Sequence, residues 1–189
     1  METFTEAKPF VENPRYFQDR RDTLAALDLS SIDKPIVDII DGFSQLTQGF
    51  TQQSCCGHFL SAHGQDPHSL NPIPSQETGW IDYRIAYLAF CIDNSPPGKA
   101  LYDGLARISE SDPGYIQFGS AEWFWERHVN SYALQVEPVR YKTKDKVTLE
   151  YAEALEVQKR RDLFFGKVRE LLERPWIVRG SLPRHLGKE

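Results

Sequence analysis

A hydroxyl, two thiols and an imidazole lie within five consecutive residues, 54–58, which are Ser-Cys-Cys-Gly-His. A short strand predicted over 50–54 leads into this segment, and loops at strand ends often carry functional side chains. Gly57 allows a close approach of the backbone that a residue with a side chain would prevent. The pattern therefore predicts a functional site at this strand end. Its catalytic candidates are Ser54, Cys55 and His58.

Other interpretations of this segment remain open. A thiol-dependent enzyme would pair Cys55 or Cys56 with His58, and this chemistry requires a thiol of low pKa. A buried cysteine beside a glycine turn would have no chemical role, because cysteine is among the residues most often buried. A metal site that also uses His63 and His68 is disfavoured, since the spacing matches neither a CxxC nor an HExxH pattern. We predict no metal.

Two further features carry chemistry. Residues 123–125, Trp-Phe-Trp, cannot all face one core, so one or two of these rings would line a groove and stack on a base. Ordinary packing in the core and at its rim is the favoured interpretation.

Arg84 lies in an otherwise apolar strand, and an inward arginine requires an anionic partner. A structural ion pair with a buried carboxylate is favoured over a ligand contact.

Positive charge is concentrated near the end of the sequence. Residues 158–189 contain nine basic and four acidic residues, a net +5, whereas residues 1–157 sum to −10. The basic residues from 159 to 174 lie in a predicted helix, and a basic helix face is usually only exposed to solvent. A cluster of cations on one side of the helix would instead contact phosphates. We expect any RNA binding to be weak and salt-dependent. The expected contacts are Lys159, Arg160, Arg161, Lys167 and the tail that follows.

Hydrophobic periodicity supplies the elements that position these groups. Helices are predicted near 35–48, 98–109 and 148–174, and strands near 50–54, 84–92 and 132–137. Ser31 and Asp33 are candidate caps for the first of these helices. The order of elements favours an α+β fold with a mixed sheet covered by helices and a long C-terminal helix. We expect a single domain over 1–189, with an extended lead-in over 1–15 and a basic tail over 175–189.

Composition excludes several classes of protein. A chain with 40% hydrophobic and 26% charged residues is typical of a globular domain. No apolar run approaches the ~18 residues of a membrane span, and the polar N-terminus does not match a signal peptide. Three cysteines do not form a disulfide framework, so we expect a reduced, cytoplasmic protein with no membrane partner. The absence of a glycine-rich phosphate loop argues against nucleoside triphosphate chemistry.

Ser-Ile-Asp at 31–33 opens a predicted helix, and Phe-Thr-Gln-Gln-Ser-Cys-Cys-Gly follows at 50–57. Through these two stretches, the segment 31–58 as a unit resembles the wybutosine-synthesis tRNA methyltransferases, the enzymes of the N4-methylation step on the hypermodified guanosine beside the anticodon. That family has a Ser-Ile-Asp start to the equivalent helix and a Phe-Thr-Thr-Ser-Ser-Cys-Ser-Gly-Arg segment after it. Cys56 stands where the family has Ser, and His58 stands where it has Arg. The matching positions are Ser31, Ile32, Asp33, Phe50, Thr51, Ser54, Cys55 and Gly57.

The resemblance implies S-adenosylmethionine as cofactor and tRNA as substrate. N-methylation depends mainly on holding the acceptor nitrogen in line with the methyl group, so no strong acid–base constellation is required. A helix N-terminus suits a carboxylate such as that of the cofactor. The predicted cofactor-binding residues are Ser31, Asp33, Ser54 and Gly57. A non-catalytic module on the same fold that binds a small molecule or RNA is the alternative, because fold does not fix function.

Overall fold

The computed structural model describes residues 4–61, 65–74, 79–141 and 144–175, which contain six strands and five α-helices. The strands are β1 (Phe4–Thr5), β2 (Gly49–Leu60), β3 (Trp80–Ile92), β4 (Ile116–Ala121), β5 (Ser131–Val136) and β6 (Lys146–Glu150). The α-helices are α1 (Tyr16–Ala25), α2 (Val37–Ser44), α3 (Pro96–Glu110), α4 (Glu122–Arg127) and α5 (Tyr151–Leu172).

The strands form one sheet in the order β1-β4-β5-β3-β2, and β6 also pairs with β3. The first part of β3 pairs with β6 and the second part pairs with β5, whereas β2 follows β3 along nearly its whole length. Where β3 changes partner, the hydroxyl of Tyr83 donates to the carbonyl of Val136 at 2.8 Å and accepts the N–H of Ala86 at 2.9 Å. Within the described sheet, β2 therefore forms an edge.

The predicted α+β class and long C-terminal helix are confirmed, but the prediction of a mixed sheet is wrong. All described strand pairings are antiparallel. Helix α3 does connect two strands that run in the same direction, β3 and β4, as a crossover helix normally does. Strand β5 lies between β3 and β4 and runs in the opposite direction, so β3 and β4 do not pair with each other.

Helices α2, α3 and α5 pack on what we call the helix face of the sheet. The β3 residues Ala86, Leu88 and Phe90 point to this face at alternate positions, as the two-residue period of a strand requires. They meet Ile40 of α2 and Phe164 of α5. The helix predicted over 35–48 corresponds to a 3-10 turn followed by α2, which ends at Ser44. The helix predicted over 98–109 corresponds to α3.

The opposite side of β3, β5 and β4, which we call the second face, bears the intervening side chains. Tyr87 and Ala89 lie here opposite Gln135 and Ala133. Helix α4 covers part of this face, and its Phe124 packs against Ala89. Unlike the helix face, this face also contains buried amide and carboxyl side chains.

Two other predicted boundaries differ from the structure. The predicted helix over 148–174 begins at Tyr151, because Lys146–Glu150 forms β6. The lead-in over 1–15 contributes β1, which pairs with β4. The predicted basic tail lies, apart from Pro175, outside the described residues.

Candidate functional site

Strand β2 does not stop at residue 54 but continues through the motif to Leu60. The predicted short strand and following loop are therefore wrong in extent. Because neighbouring residues of a strand face opposite sides, the two adjacent cysteines separate. Cys56 packs into the core beneath the helix face. Cys55 lies across from Tyr87 on the second face.

Gly57 interrupts the regular alternation of β2. Its φ of 81° lies in the left-handed region, which favours glycine. A Cβ atom at this position would lie 2.9 Å from the Cβ of Ala86 and 3.1 Å from a ring carbon of Tyr83. In a regular strand Cys55 and His58 would point to opposite faces, but with this interruption they lie close together. Gly57 is thus required by the backbone of the motif.

Asp33 reaches the exposed edge of β2 from the segment that precedes α2. Its Oδ2 atom accepts a hydrogen bond from the backbone N–H of Cys56 at 2.9 Å and lies 3.5 Å from Nε2 of His58. Polar atoms of Asp33, Cys55 and His58 lie within 4.8 Å of one another. We call these three residues the edge cluster. The structure thereby brings Asp33 together with two of the three predicted catalytic residues.

His58 is fixed inside the protein, with a side chain that is only 1% exposed. Its Nδ1 atom lies 3.2 Å from the carbonyl oxygen of Ser69, which can only accept a hydrogen bond. Nδ1 is therefore the protonated nitrogen, and Nε2 faces Asp33. His68 packs edge-on against the ring, with centroids 5.7 Å apart.

Both motif thiols are free and buried. Burial raises the pKa of the Cys55 thiol, and the charge of Asp33 acts in the same direction. Burial, followed by the same carboxylate, raises the pKa of Cys56 to about 12. Neither thiol is thus activated as the nucleophile of a thiol-dependent enzyme. Cys91 is buried in β3, as predicted.

The two serines predicted to belong to the site lie outside the edge cluster. The exposed Ser31 donates its hydroxyl proton to the carbonyl of Asp28 at 2.7 Å, which keeps the side chain in its own turn. Ser54 is partly buried and lies across from Leu88, a residue of the helix face.

A cavity of about 180 Å³, which we call the motif cavity, lies beside Cys56 and Gly57, between β2, α5 and residues 69–72. Arg161 of α5 lines it and donates from one Nη to the carbonyl of Gly57 at 3.1 Å. Its guanidinium also lies 5.2 Å from the ring centre of Phe59. These contacts hold α5 against the irregular part of β2.

Two larger cavities lie on the second face and share Gln53 and Phe124. Their volumes are about 260 and 370 Å³. We call them together the second-face groove. Its other polar and aromatic lining residues include Arg84, Tyr87, Gln135, Lys144, Asp145, Trp123 and Arg127.

The edge cluster and the second-face groove adjoin each other through the register of β2 and β3. Cys55 lies opposite Tyr87, and His58 lies opposite Arg84. Side chains at directly opposed positions of an antiparallel pair are separated by about 5 Å. Two groove residues are therefore the cross-strand neighbours of two cluster residues.

The predicted ion pair of Arg84 with a buried carboxylate is wrong. Arg84 alternates with the buried side chains of Tyr83 and Ile85, so it projects outward and is exposed. Its partner across the strand is His58. The strand predicted from residue 84 onward omitted the alternation of Asp82 and Arg84 with the buried Tyr83 and Ile85, which indicates this orientation.

The three aromatic residues at 123–125 have separate environments. Phe124 is buried and lines the second-face groove, whereas Trp123 is 46% exposed. The guanidinium of Arg127 lies 3.7 Å from the ring centre of Trp123. Trp125 packs edge-on against Tyr132. The favoured interpretation, packing in the core and at its rim, agrees with the environments of Phe124 and Trp125, and Phe124 and Trp123 also line the second-face groove. Sequence reasoning missed the groove residues Gln53, Tyr87, Gln135 and Lys144.

The basic residues of α5 do not form one open surface. Arg160 lies 3.3 Å from Asp112 in an ion pair and packs on the ring of Tyr115 at 4.1 Å, and Arg161 contacts the motif. Lys159 is exposed. Lys167 lies about two turns further along the helix, beside a cavity of about 250 Å³ that Arg107 and Arg174 also line.

No protein-family model and no curated protein matches the chain. Among solved structures, the chain is similar to the PH1069 protein of Pyrococcus horikoshii, with a TM-score of 0.50 and 12% identity over 85% of this chain and 93% of that one. A second structure, of the protein from strain OT3, gives 0.49 and 11% with the same coverage. A hypothetical protein of Aeropyrum pernix gives 0.39 and 12% over 75% and 98%.

The first similarity shows a shared α+β fold and carries no activity. In the part of the chain that the structure describes, no helix has both the length and the apolarity to cross a bilayer.

Proposed function

We propose that this protein is a divergent S-adenosylmethionine-dependent RNA methyltransferase, related to the tRNA enzymes of wybutosine synthesis. The observation that carries the proposal is the 2.9 Å hydrogen bond from the Cys56 N–H to Asp33, across 23 residues of sequence. It joins the two stretches on which the family resemblance rests. Because this hydrogen bond requires both stretches, it explains why they occur together in one chain.

The second-face groove is the proposed place of the reaction. The motif cavity, at about 180 Å³, is smaller than the ~300–1,000 Å³ of typical sites for drug-sized ligands. The groove offers about 260 and 370 Å³ in two cavities that share the lining residues Gln53 and Phe124. Because methyl transfer requires cofactor and acceptor in line, both must occupy one space. The cofactor contacts first predicted at Ser54 and Gly57 are therefore replaced by Gln53 and Arg84.

The chemistry of the groove suits a nucleotide. Trp123 offers an exposed ring for base stacking, and Arg84, Arg127 and Lys144 offer positive charge for a carboxylate or phosphates. Aromatic and basic side chains in one groove are the usual combination for binding single-stranded nucleic acid. Asp145 is the acidic residue that lines it. A locally basic groove on an acidic chain favours a short contact with RNA over a broad one.

Calorimetric titration with S-adenosylmethionine tests where the cofactor binds. A charged contact from Arg84 to the cofactor carboxylate is worth about 1.5–3 kcal/mol, so Arg84→Ala is expected to weaken binding at least about tenfold. Arg107→Ala, an exposed arginine of α3, and Leu70→Ala, a change in the motif cavity, are matched controls that should stay within about twofold. Wild-type protein that does not bind the cofactor, or a loss in Leu70→Ala alone, would contradict the proposal.

A non-catalytic binding module on the same fold is the second candidate function. It is favoured by His58, which stands where the related enzymes have Arg and is buried against Ser69. Transfer of a radiolabelled methyl group from S-adenosylmethionine to unfractionated tRNA separates the two candidates. Incorporation above that of heat-denatured protein supports the enzyme, and cofactor binding without incorporation supports the module.

A further inference from the structure

We infer that the edge cluster binds a divalent transition-metal cation of the zinc type, with Asp33, Cys55 and His58 as its protein ligands. This inference is independent of methyl transfer. Spacing along the sequence did not reveal the site, because Asp33 lies 22 residues before Cys55 and reaches it only through the fold. The prediction of no metal considered only the cysteines and histidines within residues 55–68 and did not include Asp33.

The donor atoms are those that zinc prefers, a thiolate sulfur, an imidazole nitrogen and a carboxylate oxygen. All three lie within 4.8 Å of one another, and Nε2 of His58 is 3.5 Å from Oδ2 of Asp33. In a tetrahedral site with metal–ligand bonds of about 2.0–2.3 Å, ligand atoms are separated by roughly 3.3–3.7 Å. The existing arrangement therefore needs only a small contraction around a bound ion.

Hydrogen bonds outside the cluster already orient its ligands. Nδ1–H of His58 donates to the carbonyl of Ser69 at 3.2 Å, which leaves Nε2 available as the ligand nitrogen. The backbone N–H of Cys56 fixes the Asp33 carboxylate at 2.9 Å. Histidine ligands of metals commonly donate their second ring N–H to a backbone carbonyl in this way.

Binding would convert the Cys55 thiol to a thiolate, with its proton released to solvent, while His58 binds through Nε2 and keeps its Nδ1 proton. Three protein ligands leave one position of a tetrahedral ion for water or a substrate atom. The Asp33 side chain, 22% exposed, marks the side from which an ion and its fourth ligand enter.

Titration of chelator-treated full-length protein with Co²⁺ tests the inference, because a cysteine thiolate bound to Co²⁺ gives a near-ultraviolet charge-transfer band. We expect this band in the wild type and its loss in Cys55→Ser. Cys56→Ser is the matched control and should keep the band, since that sulfur contacts the Gly57 carbonyl and lies outside the cluster. Asp33→Asn preserves an acceptor for the Cys56 N–H and should weaken Co²⁺ binding by about tenfold or more.

Circular dichroism verifies that each variant is folded. A folded wild type with no thiolate band would overturn the inference and leave the Asp33–His58 contact as an ion pair. Equal loss of the band in Cys55→Ser and Cys56→Ser would overturn it as well. Since no S-adenosylmethionine is present, a failure here leaves the proposed methyltransferase function standing, and a failure of cofactor binding leaves the metal site standing.

Discussion

The two faces of the same strands are both buried but are built from different residues. On the helix face, Leu88 and Phe90 of β3 pack with Leu134 of β5 in a core of hydrophobic side chains. On the second face, Gln135 and Glu137 are at most 5% exposed. Burial of apolar groups stabilises the fold, whereas each buried polar group costs free energy unless it is hydrogen-bonded.

The polar groups of the second face satisfy one another only in part. Gln135 donates to the carboxyl of Glu137 at 2.7 Å, and Gln117 donates to its backbone carbonyl at 2.9 Å. The other carboxyl oxygen of Glu137 and the side-chain oxygen of Gln117 have no hydrogen-bond partner among the described residues. Folding alone does not require these groups. The second face, whose buried polar groups make it the less stable of the two faces, is also the face that carries the groove.

The largest effect is expected at Gly57, where the strand changes its pattern between the two faces. Gly57→Ala would place a Cβ 2.9 Å from Ala86 at a φ of 81°, and we expect it to lower the free energy of unfolding by about 3 kcal/mol. Gly166→Ala in α5, where a Cβ meets no atom within 4 Å, should instead stabilise by about 0.5–1 kcal/mol. Urea denaturation measures both.

This result bears on how Gly57 is interpreted. If Gly57→Ala were as stable as the wild type, the glycine would serve a ligand and the motif cavity would become the better candidate site. A bulkier residue at Gly57 would contact Ala86 and Tyr83 of β3, so a loss of ligand binding in such a variant would report on the fold as well as on the site.

Periodicity predicted the helices of the helix face and the central parts of β3 and β5, because those segments bury one continuous apolar side. It failed at β6, where only Val147 and Leu149 are buried among residues that also favour a helix. Residues 31–33 and 54–58 indicated the edge cluster. The groove was not predictable, since the neighbours Tyr87 and Arg84 depend on a register that only the folded sheet defines.

The second prediction concerns the buried carboxyl group of the second face. Burial, followed by the charge of Asp145, raises the pKa of Glu137 to about 9, whereas an unfolded chain has a glutamate pKa of about 4.3. The folded state therefore holds a proton that the unfolded state has lost between these values, so stability falls as the pH rises from about 4.5 to 9.

Glu137→Gln removes this titration and keeps an oxygen that can accept from Gln135. We expect the variant to be more stable than the wild type by about 2 kcal/mol at pH 6 and nearly equal to it at pH 4.5. Urea denaturation at both values measures the difference. A difference that does not change with pH would mean that the carboxyl is already ionised in the folded protein.

The third prediction tests which surface binds RNA. Stacking of a base on an aromatic ring is worth about 1–3 kcal/mol, so Trp123→Ala should weaken binding of a short single-stranded RNA by about tenfold in fluorescence anisotropy at low salt. Trp80→Ala is the matched control, since Trp80 is 65% exposed at the start of β3 and does not line the groove. A larger loss of RNA affinity in Lys159→Glu than in Trp123→Ala would mean that RNA binds to α5 and not to the groove.

The smallest expected effect distinguishes a structural arginine from a solvated lysine on the same helix. The side chain of Arg161 is 19% exposed and donates to the Gly57 carbonyl, so Arg161→Ala should lower the free energy of unfolding by about 1 kcal/mol. Lys159→Ala, at an exposed position two residues earlier, should stay within about 0.5 kcal/mol of the wild type.

S-adenosylmethionine binding of the same two variants completes this last test. If the motif cavity is structural, Arg161→Ala loses stability and keeps its affinity for the cofactor within about twofold, because Arg161 lies on the side of β2 away from the groove. If instead the affinity falls and the stability does not, the motif cavity is the ligand site. The different composition of the two faces would then reflect only how the sheet is covered.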